Sequence, residues 1–264
     1  DAEAKHTGAY DQCIYISTAA EDSSAQQGQA YRSIEAFSNI SKAIEERPSI
    51  YTQYMNKANC YRLLYDYDNA FKQINIALAM DSLSVPVAYN ARGNLYFETG
   101  KYKEALADYT KSIQLSHNYY DDIFLPSAKI YKSKCNYFLG NFDEAINDLD
   151  FNENDSSYYG KYATFEKGKI YFTQNKLELA NASFHAFIGK SRNSFEIALA
   201  NAYLGDKEKT LCVITKFNPK KINSSDYLHF TQIYSVLHDT ENAFKYLELL
   251  LQTNYQRYAY LYTD

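Results

Sequence analysis

The chain has 264 residues, enough for one large domain or an extended array. Four Pro and nine Gly are too few for an all-β fold, a net charge of −5 argues against a nucleic-acid binder, and no run of 18 apolar residues is present to cross a bilayer. Apolar residues make up 46% of the chain, with 28 Tyr, 15 Phe and no Trp, so a substantial core is available and rings do much of its packing.

Residues 1–50 are the least regular part. A helix is predicted from about Ala9 to Ala20, then a polar break at Glu21-Asp22-Ser23-Ser24. A longer helix follows to about Glu46, with Ala36, Ile40 and Ala43 on one face and Pro48 at its end. Residues 51–84 hold two short helical patterns, one with Tyr54, Ala58 and Tyr61, the other with Ala70, Ile74 and Ala77. Residues 86–119 repeat that plan: Gly93 stands three residues before Tyr96, Gly100 joins the two helices, and Ala105, Tyr109 and Ser112 line the second. An insertion, His117 to Leu125, is expected as a longer loop. Residues 126–159 carry Gly140 and Ala145 in the same places. The stretch Asp148 to Asn154 alternates oxygen ligands like the start of a calcium loop. It lacks the sixth-position Gly and has Tyr159 where the twelfth-position Glu belongs, so a helix end and an acidic turn are predicted instead.

Residues 161–190 place Gly168, Tyr171, Ala180 and Phe184 in order, and residues 191–222 form a shortened unit around Gly205. Lys207, Lys209, Lys216, Lys220 and Lys221, against Glu208, make a solvated basic face there. Residues 224–254 supply Tyr227, Tyr234, Ala243 and Leu247, and 255–264 begin a further helix with Tyr258, Tyr260 and Leu261. The small residue opening each second helix sets the register: Ala36, Ala70, Ala105, Ala145, Ala180, Thr210 and Ala243, at spacings of 34, 35, 40, 35, 30 and 33. A period near 34 held over seven units marks an internal repeat, with small residues where paired helices touch.

The stretch 86–119, PVAYNARGNLYFETGKYKEALADYTKSIQLSHNY, resembles the tetratricopeptide repeat, a helix–turn–helix unit of 34 residues. Tyr89 fills the usual Trp slot, Arg92 the Leu slot and His117 the final Pro slot. The resemblance implies an all-α, right-handed α-solenoid of about seven such repeats. Residues 1–50 would be a degenerate first repeat, and 255–264 the start of a capping helix. It also implies a non-enzymatic scaffold that binds a protein or an extended peptide in a concave groove lined by the first helix of each repeat.

Side chains at i, i+4 and i+7 share a helix stripe, so three columns should face that groove. The first is Met55, Asn90, Ile130, Phe165, Phe195 and Leu228; the middle is Asn59, Asn94, Lys134, Lys169, Leu199 and Gln232; the third is Arg62, Phe97, Tyr137, Phe172, Ala202 and Ser235. Amides and ammonium groups beside rings suit an extended peptide: Asn for its backbone, Lys for carboxylates, rings for apolar side chains. The candidate groove is therefore Asn59, Arg62, Asn90, Asn94, Phe97, Lys134, Tyr137, Lys169 and Phe172. Within the family, repeats that clamp the C-terminal carboxylate of heat-shock chaperones place a Lys one turn before the groove Asn. Here Met55 precedes Asn59 and Asn90 precedes Asn94, so that clamp is not expected.

Two rival readings stand beside the scaffold: a structural or assembly subunit packing through its convex face and ends, and an accessory module of an enzyme. No catalytic motif is present. His6, His117, His185, His229 and His238 are scattered, and no phosphate loop occurs. Cys13, Cys60, Cys135 and Cys212 match no metal spacing and read as small buried hydrophobes. No cofactor is expected. The first residue is Asp1 rather than Met, as in a processed mature protein or a trimmed chain, so cytoplasmic and processed extracytoplasmic settings both stay open.

Overall fold

The computed structural model describes residues 38–80, 86–116, 125–150, 158–215 and 224–252. The predicted helix at 9–20, Ala36, the tail at 255–264, most of the 117–125 insertion and residues 151–154 of the calcium-like stretch lie outside the described residues. Among the described residues every regular element is a helix, and the fold is an all-α repeat. After a helical segment at 38–46 come α1 (Tyr51–Leu63), α2 (Tyr67–Met80), α3 (Pro86–Glu98), α4 (Tyr102–Leu115), α5 (Leu125–Phe138) and α6 (Phe142–Asp148). Then follow α7 (Tyr158–Thr173), α8 (Leu177–Lys190), α9 (Ser194–Tyr203), α10 (Lys207–Ile214), α11 (Ser224–Val236) and α12 (Thr240–Gln252). The chain divides into two compact units with the boundary inside α5, between Cys135 and Asn136.

Each odd-numbered helix is followed after three residues by its even-numbered partner, and the joint has one construction throughout. Tyr65, Gly100, Gly140, Asn175, Gly205 and His238 take positive φ, between 56° and 80°. At each joint the next residue's N–H reaches back five residues, as from Lys101 to Tyr96 O (2.8 Å) and from Asp239 to Tyr234 O (2.9 Å). These are Schellman ends, which satisfy the orphan carbonyls of the first helix and turn the chain back on itself. Three of the six positions are Gly, the residue that enters this region without penalty; Tyr65, Asn175 and His238 do so with a side chain.

Five residues past each joint stands the small residue that sets the repeat. Ala70, Ala105, Ala145, Ala180 and Thr210 are fully buried, and Ala243 nearly so. Thr210 fits this slot because its hydroxyl donates to Asp206 O (2.8 Å), with Ala198 O also within reach (3.4 Å), so its own buried oxygen is satisfied. In two hairpins the second helix also carries a large ring that fills the space a missing side chain leaves on the first. A Cβ on Gly93 would lie 2.9 Å from Tyr109 Cε1, and one on Gly168 2.7 Å from Phe184 Cε1.

In the first unit Ala58, Ala70, Ile74 and Leu95 form a core joining α1, α2 and α3. Phe97 and Tyr109 extend it, each 5.4–5.8 Å from the Tyr131 ring. In the second unit Phe165, Phe184, Phe187 and Ala200 join α7, α8 and α9. Ala198, Ala202, Phe230, Ile233 and Tyr234 join α9 to α11. Among the described residues no helix is long and apolar enough to cross a membrane.

Candidate binding surface

The face on which successive first helices meet is identified by side chains that join them directly. In the first unit Arg62 on α1 donates to Glu98 on α3 at 2.8 Å, both side chains about one-fifth exposed. In the second unit the Tyr137 and Thr173 hydroxyls lie 3.1 Å apart, and the Phe172 ring sits edge-on to Tyr203 at 5.2 Å. The three links occupy one register: a residue in the third column meets the position next to that column on the following first helix. An ion pair, a hydroxyl contact and a ring pair thus do the same mechanical task.

Of the predicted third column, then, Arg62, Tyr137 and Phe172 each hold the next hairpin. Phe172 remains 38% exposed, while Phe97 is 1% exposed. Phe97 is a core ring between Tyr102 and Tyr131, so it does not line a groove. Asn90, only 6% exposed, is likewise a packing residue rather than a groove amide, as are Ile130 and Phe165 in its column. Met55, Phe195 and Leu228, the other members of this column, are only partly buried.

The middle column keeps its half-exposed polar character. Asn59 Oδ1 accepts from Arg62 Nε (3.1 Å) and Nη2 (2.9 Å). Asn94 Oδ1 accepts from the Tyr109 hydroxyl at 2.7 Å. Lys134 Nζ lies 5.4 Å from the centre of the Tyr131 ring, close enough for a cation–π contact. Lys169, in the second unit, pairs with Glu166 at 3.7 Å. Asn59, Arg62, Asn94 and Lys134 fall in the first unit, and Tyr137, Lys169 and Phe172 in the second.

One group escaped the sequence reading. Arg92, in the slot where the repeat carries Leu, donates to both oxygens of Asp108 (2.7 and 2.8 Å) and to Asn75 Oδ1 (3.0 Å). Its guanidinium also lies 5.5 Å from the Tyr89 ring centre. The hydrogen bond and charge of Asp108 hold the guanidinium pKa above its ordinary value against burial. Lys57, Lys132 and Lys167 occupy the equivalent slot in their hairpins, and that recurrence was the available signal. Among the described residues no cluster of His, Cys, Asp and Glu could hold a metal; Cys60 and Cys135 are buried outside any disulfide, whereas Cys212, expected to be buried, is exposed.

Residues 86–119 match the tetratricopeptide repeat family. No curated protein matches the chain. Among solved structures, a tetratricopeptide repeat protein from Parabacteroides merdae aligns over 92% of this chain and 94% of its own, at 16% identity and a TM-score of 0.63. PilF of Pseudomonas aeruginosa aligns over 89% and 98% at 15% identity and 0.57. PilW, a type IV pilus biogenesis factor, aligns over 97% and 98% at 16% identity and 0.54. At these identities the likeness is one of fold. Residues 86–119 are thus matched as a tetratricopeptide repeat, hairpins of the same construction stand before and after it, and the chain is similar in fold to tetratricopeptide repeat proteins.

Proposed function

We propose that this chain is a non-enzymatic scaffold that holds an extended peptide segment against the faces of its first helices. The fold is that of protein- and peptide-binding scaffolds. The observation that carries the finer reading is the middle column in the first unit. Asn59, Asn94 and Lys134 stay half-exposed beside the buried Asn90, Phe97 and Ile130, and internal contacts fix the two amides in place. Fixed polar groups on rigid helices lose little entropy on binding. The test is binding of short peptides to the whole chain, wild type and with Asn59→Ala or Lys134→Ala. Capture should weaken while helicity by circular dichroism is unchanged, each lost hydrogen bond costing about 0.5–1.5 kcal/mol. Undiminished binding would move the contact away from this face.

A second reading, a subunit packing into a larger assembly through outer faces, is favoured by α12. There Phe244 and Leu251, seven residues apart on one face, are both largely exposed. Concentration-dependent self-association abolished by Phe244→Ser would support it.

A further inference from the structure

We propose that the outward face of α8 docks on a second copy of this chain, the two α8 helices lying antiparallel about a two-fold axis level with Phe184. The inference concerns the second unit alone and does not depend on the peptide-binding reading.

The first argument is a departure from the repeat. The residue just before the small one of each second helix is polar in five hairpins: Asn69, Glu104, Glu144, Lys209 and Asn242. In α8 it is Leu179, which is 50% exposed. Ala182, Ala186 and Gly189 are exposed as well, and a Cβ on Gly189 would meet nothing within 4 Å. At 3.6 residues per turn these four share one face, while Ala180, Phe184 and Phe187 are buried on the other. The outward face of α8 is therefore apolar between its two ends and open to solvent, as at an association surface.

The second argument identifies what covers it, because the face is complementary to itself. In an antiparallel pair centred on residue 184, positions equally far from the centre on opposite sides stand level with one another. Leu179 then meets Gly189 of the second copy, a large side chain against a position that has none. Ala182 meets Ala186. The helix opens with Glu178 and closes with Lys190, both exposed, and these two also meet. Lys190 keeps an interaction within its own chain as well. Each of these pairs occurs twice about the axis, as an isologous contact requires. Small residues at the crossing let the helix axes approach to about 8 Å. A parallel pair would instead set Glu178 against Glu178 and Lys190 against Lys190, so charge selects the antiparallel one. One helix pair is a small interface, so the association is weak, with a Kd on the order of micromolar or above.

Sedimentation velocity of the whole chain through and above the micromolar range should show monomer passing to dimer and no larger species, since a two-fold contact closes on itself. Leu179→Glu should weaken the dimer at least about tenfold with unchanged helicity. Gly189→Gln should also weaken it, by filling the space that Leu179 enters, while leaving the fold at least as stable. Glu178→Lys should weaken it severalfold, and adding Lys190→Glu should restore it. Phe244→Ser, on α12, should leave it unchanged. A chain monomeric throughout, or one that grows beyond the dimer, would overturn the proposal. Self-association that survives Leu179→Glu, or that Phe244→Ser abolishes, would place the contact away from α8 and overturn it too. A dimer that the paired charge exchange does not restore would overturn the antiparallel pairing.

Discussion

Gly168 and Gly189 lie on the two helices of one hairpin and call for opposite outcomes from the same substitution. On Gly168 a Cβ would stand 2.7, 2.9 and 3.0 Å from Phe184 Cε1, Cδ1 and Cζ. Comfortable carbon contacts begin at about 3.5 Å, so the ring would have to retreat by about 0.5–1 Å. It has nowhere to go: Phe184 is fully buried, stacked on Tyr203 at 4.9 Å and edge-on to Phe165 at 5.7 Å. Overpacking of this kind costs about 1–3 kcal/mol, and removing Gly from a helix interior returns about 0.5–1 kcal/mol, so Gly168→Ala should destabilise by about 1–2 kcal/mol. A Cβ on exposed Gly189 meets nothing within 4 Å, so only the second effect operates and Gly189→Ala should stabilise by about 0.5 kcal/mol. Urea unfolding followed by circular dichroism reads both changes as opposite shifts of the midpoint. A Phe184→Leu background should relieve at least about 1 kcal/mol of the Gly168→Ala cost, because it removes the ring that the Cβ strikes. Shifts in the same direction, or a cost unchanged in that background, would show that ring and glycine are not coupled.

His238 sits at φ 56° and is exposed, so His238→Gly should raise stability by about 1 kcal/mol in the same urea assay. Arg92→Met should cost about 3–5 kcal/mol by stranding the buried Asp108 carboxylate, whereas Arg62→Met, breaking a pair one-fifth exposed on each side, should cost no more than about 1 kcal/mol. Asp206 and Asp239 cap α10 and α12, and the hydrogen bonds they accept from Lys209 and Asn242 hold both carboxyls below their ordinary pKa. Their contribution is therefore present above the unfolded carboxyl pKa and lost as pH falls through the lower folded value, and Asp239→Asn should flatten that acid-side loss in thermal melts. Burial raises Glu196 instead, so its contribution is full at low pH and lost as pH rises through the folded value; Glu196→Gln should abolish that decline.

The hairpin register was legible because it is written in residue size. Ala70, Ala105, Ala145, Ala180, Thr210 and Ala243 occupy tight crossings, and a small side chain there leaves a mark at intervals of 30 to 40 residues. Gly100, Gly140 and Gly205 announced their turns for a similar reason, while Tyr65, Asn175 and His238 adopt the same backbone without a glycine to signal it. The candidate groove was legible only as a stripe. Helical periodicity groups Asn59 with Arg62 and Asn94 with Phe97 but says nothing of depth, and Phe97 is sealed by Tyr131, 34 residues further on. The Arg62–Glu98 and Tyr137–Thr173 contacts span 36 residues and follow from hairpin stacking, which no local pattern encodes. In the sequence Arg92 shows only as a residue in the Leu slot; its partner Asp108 lies 16 residues further on, on the second helix.

The uniform joint within hairpins has a consequence for where this chain can change length. From the residue of positive φ to the small residue of the second helix the interval is five in all six hairpins, from Tyr65 to Ala70 through His238 to Ala243. From one such joint to the next the interval varies: 35, 40, 35, 30 and 33. Lengthening the joint would break a Schellman end and lift the small residue out of its crossing; lengthening the link between hairpins disturbs neither. Each hairpin is therefore a cassette with a closed internal geometry and open borders. Tags, reporters or grafted loops inserted at those borders should be tolerated, while the same insert at Gly100 or Gly140 should dismantle the hairpin that receives it.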